Sequence, residues 1–206
     1  MKKYSGLKMK NFILAFFIIS IIFAIYLLVY ASPAYIMFFH FSLLFISLYF
    51  LFKKDWKTTL KYIGVPGNFR NNFAWSIFGF FAIVIITMLM NFIMVYVFNI
   101  QDIEKITDKV STLPEYLLFF AFLAAPFTEE LFFRALISPR FGMFASSALF
   151  GLSHYAYGSV IEIAGTFIIG MMLCLIYKYS KSIVPCIVIH LLYNFVSLLA
   201  MGTIFK

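Results

Sequence analysis

The sequence predicts an all-α, polytopic membrane helix bundle of about seven or eight transmembrane helices, with one amphipathic helix lying in the interface. Three observations predict it: the composition, the length of the uncharged apolar runs, and where the basic residues fall between them. Of the 206 residues, 64% are hydrophobic and only 12% are charged, and the mean hydropathy is +1.01. A soluble domain is about 45–50% apolar and about 25% charged. A water-soluble fold has too little polar surface to cover so many apolar side chains, whereas a bilayer is a solvent for them. The net charge of +8 is spread over short stretches between apolar blocks, as expected of loops facing anionic lipid. No basic run is interleaved with a soluble fold, so lipid and not nucleic acid is the expected partner.

Seven blocks are candidates to span a hydrocarbon core, at about residues 11–30, 34–52, 73–98, 116–137, 142–157, 160–177 and 183–205. The first follows a basic stretch, Met1 to Lys10, that resembles the start of a signal peptide. Its apolar run of about 20 residues exceeds the usual 7–15 of such peptides, so it reads as a membrane helix. The fourth is apolar apart from Glu115, Glu129, Glu130 and Arg134. The fifth is short and rich in Gly, Ala and Ser, and the last contains Pro185, His190 and Asn194. Between the second and third blocks, residues 53–70 are too polar to cross. Trp56, Leu60 and Ile63 recur there at helical spacing among lysines, which predicts a helix on the cytosolic surface, ended by Val65-Pro66-Gly67. There is no internal repeat or linker. Residues 1–206 read as one integral membrane domain, with 116–200 as its motif-bearing core.

With the N-terminus in the cytosol and alternating spans, 13 of the 16 basic residues fall on the cytosolic side. The 99–116 loop, placed outside, is acidic on balance. This is the positive-inside pattern of a multi-pass cell-membrane protein with a cytoplasmic N-terminus. The C-terminus then lies outside, unless the short 142–157 block is re-entrant and the later helices flip. Cys174 and Cys186 sit inside apolar segments and belong to no metal-binding spacing, which predicts small packing residues.

A carboxylate at the membrane centre costs at least about 2.5–3.5 kcal/mol on insertion scales, so one that is kept there usually has a task. Three polar groups reach that depth here. In Glu129-Glu130-Leu131-Phe132-Phe133-Arg134, an α-helix makes Glu130 and Arg134 neighbours able to form an ion pair. Glu129 points about 100° away. One carboxylate is thereby neutralised and the other left free to act as a base. The second group is Phe150-Gly151-Leu152-Ser153-His154. The third, His190 to Asn194, sets an imidazole and an amide on one helix face. Counted from the cytosolic helix ends at about 1.5 Å per residue, Glu129 lies about 12 Å deep, His154 about 18 Å, His190 about 11 Å and Asn194 about 17 Å. Three helices therefore deliver Glu, His, His and Asn to one layer. His40, by contrast, reads as a helix–helix hydrogen-bonding residue. Glu162 reads as interfacial, and Gly165, Gly170 and Ala164 as sites of close helix packing.

At these residues the sequence resembles a known family. The EExxxR, FxxxH and HxxxN elements, in order over about residues 116–200, are similar to the signature of the CAAX-protease and bacteriocin-processing (CPBP) membrane proteins, which include the type II CAAX prenyl endopeptidases. The resemblance implies that Glu129 activates a water that His154 binds or orients, and that His190 and Asn194 stabilise the oxyanion. Glu130 and Arg134 match the remaining positions, with a mainly structural part. It favours a metal-free glutamate mechanism; if a divalent metal such as zinc were used, Glu129, His154 and His190 would be its candidate ligands. The expected activity is that of an intramembrane endopeptidase open to the cytosol. It would cut near the C-terminus of a prenylated or membrane-embedded protein or peptide. Two other readings use the same residues: a non-catalytic scaffold or bacteriocin-immunity protein of that family, and a small transporter or proton relay.

Overall fold

A computed structural model describes residues 34–51, 55–65 and 67–202. The expected first helix, at 11–30, lies outside them, as does the end of the last block. The described residues form an all-α membrane bundle.

Helix α1, Ala34–Leu51, is apolar on every face. The expected surface helix is present as α2, Trp56–Tyr62, started by Asp55, whose carboxylate accepts from the Thr58 N–H at 2.8 Å. Trp56 is exposed, as predicted, but Ile63 is buried in the protein core. The reason is a specific dock: Ile63 O accepts from Ile183 N–H and Gly64 O accepts from the Ser182 hydroxyl. Helix α3, Phe69–Tyr96, is capped by Asn68 and packs against the last two long helices. Its outer face presents Phe73, Phe81, Ile85, Leu89 and Phe92, a surface suited to lipid.

The 99–116 stretch, expected as a loop, contains helix α4, Glu104–Ser111. Its Ile106 and Val110 are buried against Leu198 in a small apolar cluster. The spacing of Ile103, Ile106 and Val110 was the signal for it. Next comes a bent helix, made of α5 (Glu115–Leu123), α6 (Ala125–Glu129), a π-helical stretch Glu130–Ile137, and α7 (Ser138–Phe141). Its first part turns by 42° from the rest. Pro126, just past the break, has no N–H to give the preceding turn, which accounts for the kink.

Helix α8, Met143–Ser153, has 11 residues. At 1.5 Å per residue it is about 16 Å long, too short to cross a core of about 30 Å. It continues through a short 3-10 turn, Tyr155–Tyr157, to α9, Val160–Ser180. α8 lies closely on α9 because a Cβ on Gly170 would stand only 3.1 Å from Ser147 Cα. Gly165 likewise faces Met90, so both glycines have the packing role expected of them. Helix α10, Val184–Ala200, completes the described bundle. Among the described residues, α3 and α9 are each long and apolar enough to cross a membrane, and up to four spans result if each bent pair is one.

The two ends of the bundle differ. Toward the end formed by residues 55–65, 67–70, 137–142 and 178–183, Leu43, Ile46, Phe132, Phe133, Leu136 and Cys186 pack into one buried core. Between helices in lipid, dense packing and hydrogen bonds provide the cohesion. Cys186 takes part as a packing residue, its thiol donating to Leu173 O at 3.4 Å. The opposite end, formed by residues 97–115, 153–162 and 197–201, encloses a cavity.

Candidate active site

The cavity has a volume of about 840 Å³, and its walls include Glu129, His154, His190 and Asn194. Most of its lining residues lie toward the 97–115 end, and members of the buried core, Phe150 and Ile169, border it. It therefore lies away from the basic end, where the sequence reading expected an opening to the cytosol. Of the four residues expected in one layer, His190 lies 3.5 Å from Glu129, and His154 and Asn194 line the same cavity.

Glu129 and Glu130 stand where the α-helix gives way to the π-helical stretch. Such widened turns occur often at functional sites. Glu130 is fully buried and lies 2.9 Å from Arg134 Nε, the ion pair expected from the sequence. The contact is Coulombic, since Arg134 Nε and Glu130 Oε2 do not align as a hydrogen bond. The guanidinium Nη atoms have no hydrogen-bond acceptor among the described residues; the group lies instead over the Phe150 ring, 4.3 Å from its centroid. Glu130 has a second partner that the sequence did not reveal, His190 Nδ1 at 2.8 Å. A carboxylate paired with arginine only accepts, so His190 Nδ1 carries the proton.

The same argument fixes the other two rings. Thr128 donates its hydroxyl proton to Ala125 O, so its oxygen accepts from His40 Nδ1 at 2.8 Å. A backbone carbonyl, Phe150 O, accepts from His154 Nδ1 at 2.9 Å. With each Nδ1 donating, the neutral rings present a bare Nε2. Those of His190 and His40 lie 3.5 and 3.6 Å from the two oxygens of Glu129. His154 faces the same cavity and stacks on Tyr157. Carboxylate oxygens and bare imidazole nitrogens are all acceptors, so the layer needs a proton or a water between them. These separations exceed the 2.7–3.2 Å of a direct hydrogen bond, and a water that touches both partners would sit beside the gap, on its cavity side.

His40 does make the helix–helix hydrogen bond expected of it, to Thr128. It also flanks Glu129, which the sequence reading did not anticipate. Asn194 lines the cavity, with one amide proton donated to Ala121 O at 3.0 Å, close to the bend. Glu162, expected at the interface, is half-buried in the cavity wall. Glu129, His154 and His190 do not make a metal cage: among the described residues no three His, Cys, Asp or Glu side chains are grouped to hold a metal.

Outside the spans, Asp102 fixes the roof. It accepts from the Ser159 hydroxyl at 2.8 Å and from the backbone N–H groups of Val160 and Ile161. Burial pushes its carboxyl up, but these hydrogen bonds together outweigh burial and hold it below the ordinary carboxylate value. The segment leading into α4 is thereby tied to the start of α9.

Residues 112–196 match the family model described as type II CAAX prenyl endopeptidase Rce1-like. No curated protein and no solved structure matches the chain. The matched segment contains Glu129, Glu130, Arg134, His154, His190 and Asn194, and leaves out His40. It agrees with the resemblance drawn from the three motifs and supports a CAAX-protease-like membrane protein.

Proposed function

We propose that the chain is an intramembrane endopeptidase, similar to CAAX prenyl proteases, that hydrolyses a peptide bond near the C-terminus of a lipidated or membrane-embedded substrate. The observation that carries this reading is Glu129 on the cavity floor, its two oxygens 3.6 and 3.5 Å from His40 Nε2 and His190 Nε2. A water seated among them would give a proton to Glu129 as its oxygen attacks the substrate carbonyl carbon. The C–O bond forms, the carbonyl electrons move to oxygen, and a tetrahedral oxyanion results. His154, which lines the same cavity, would hold or orient the same water.

The oxyanion needs donors that are already in place. Asn194 would supply its remaining amide proton. His190 would donate to the oxyanion from Nε2 once the proton taken from the water has passed there from Glu129, 3.5 Å away. Collapse of the intermediate breaks the C–N bond as the proton passes to the leaving nitrogen. No step calls for a metal, and chelators are expected to leave the activity intact.

The test is hydrolysis of a prenylated CAAX peptide by the purified protein in detergent. Wild type is expected to cleave it and Glu129→Ala to be inactive; equal rates would overturn the mechanism. One observation favours a second reading. Glu130 with His190, Arg134 over the Phe150 ring, and Asn194 on Ala121 O each tie two helices together, as a non-catalytic scaffold or immunity protein of this kind would require. A folded Glu129→Gln variant that keeps the full biological effect would favour the scaffold.

A further inference from the structure

The cavity wall carries a carboxylate that the chemistry above does not use. Glu162 lies in the first turn of α9, half-buried, and lines the same cavity as Glu129. Among the described residues it takes part in no salt bridge. Lys109 lines the same cavity from α4 without pairing to it. A cation that enters the recess would hold this carboxylate in its charged form, and such a pair in apolar surroundings is far stronger than in water.

The direction of access is set by a separate observation. At the cavity end the exposed acids are Glu104, Asp108 and Glu115, against Lys105 and the half-buried Lys109. At the other end the exposed cations are Lys57, Lys61, Arg70, Lys178 and Lys181, with Asp55 as the only described acid. The basic end belongs in the cytosol by the positive-inside rule. The cavity then faces the extracytosolic side, and the packed core of Phe132, Leu136 and Cys186 separates it from the cytosol.

We infer that the site takes a peptide segment presented at the extracytosolic face of the membrane, with a lysine or arginine side chain that pairs with Glu162. The inference rests on the peptidase reading for what happens next, but not for binding. Its volume of about 840 Å³ is near the top of the roughly 300–1,000 Å³ typical of small-ligand sites, room for a few side chains.

The experiment uses full-length Glu129→Gln protein in nanodiscs and acylated, dye-labelled peptides with Lys, Gln or Glu scanned along one sequence. Anisotropy is expected to show at least one lysine peptide binding about tenfold tighter than its glutamine partner. That preference should vanish when Glu162→Gln is added, and Glu162→Lys should favour the glutamate peptide. A lysine preference that survives Glu162→Gln, or no lysine preference at any position, overturns the proposal. In intact cells a membrane-impermeant maleimide should label Asp108→Cys, and Lys178→Cys only after permeabilisation; the reverse pattern overturns the direction of access. Binding is read without hydrolysis. A chain that selects the lysine peptide through Glu162 and never cleaves it upholds this inference and removes the peptidase reading. Cleavage with no charge preference does the opposite.

Discussion

The two ends of the bundle are built from the same apolar helices, yet one is solid and the other hollow. At the basic end, Phe132, Phe133, Leu136 and Leu43 are each 0% exposed and fill the space between helices. At the acidic end the bent helix, the short α8 and the 3-10 turn do not fill it, and α4 roofs a cavity instead. The boundary between the two is the layer of Glu129, Glu130, His40 and His190. The difference teaches that the ionisable residues divide by what lies on each side of them. Glu130 faces the packed end and is held by Arg134 and His190, whereas Glu129 faces the cavity and has only long contacts.

Substitutions on the two sides of that boundary should therefore fail differently. The largest effect is expected for Glu129→Gln, which should lower the peptidase rate by about 10²–10⁴-fold, the usual range for losing a general base. Its thermal unfolding midpoint in detergent should stay near that of wild type; a parallel loss of stability would erase the contrast. Arg134→Met should act through the fold. It leaves the buried Glu130 carboxylate with only the His190 N–H as partner, at a cost of up to about 3–5 kcal/mol. Adding Glu130→Gln should restore much of the stability, as measured by the same unfolding assay. A fully stable Arg134→Met protein would show that the pair does not hold the packed end together.

His40→Gln sharpens the comparison from the third side of Glu129. It should reduce the rate about tenfold with a smaller change in stability, and wild-type kinetics would return His40 to a purely helix-joining part. The smallest effect belongs to the roof. Asp102→Asn should cost about 1 kcal/mol, in the range of a lost helix cap. The Asp102 carboxyl is held below its unfolded value of about 3.9. Its contribution is therefore complete above that pH and is lost as pH falls through the lower folded value. Unfolding midpoints at pH 5 and pH 3 should differ less for Asp102→Asn than for wild type.

Much of this was legible in the sequence, for physical reasons. Membrane embedding follows from composition, and the convergence of Glu129, His190 and Asn194 follows from counting helix rises. The Glu130–Arg134 pair follows from their four-residue spacing. Other features were not accessible that way. The π-helical stretch places both Glu129 and Glu130 against one imidazole, where α-helical geometry sent them apart, and no local pattern announces it. His40 looked like an isolated polar residue because its partners Thr128 and Glu129 are nearly ninety positions away. The direction of the cavity depended on which half of the helices packs, which charge counting alone does not reveal. Helix α4 was visible in the spacing of Ile103, Ile106 and Val110, but the polarity of the segment masked it.

The central claim is that Glu129, with the imidazoles around it, holds a reactive water. The most direct measurement is an experimental structure of the wild-type protein in lipid at a resolution that shows waters, with anomalous data at the zinc edge. The account predicts a water peak within hydrogen-bonding distance of a Glu129 oxygen and an imidazole Nε2, with no anomalous signal there. A metal peak at that position, or direct Glu129–His190 and Glu129–His40 hydrogen bonds with no water between, would contradict it.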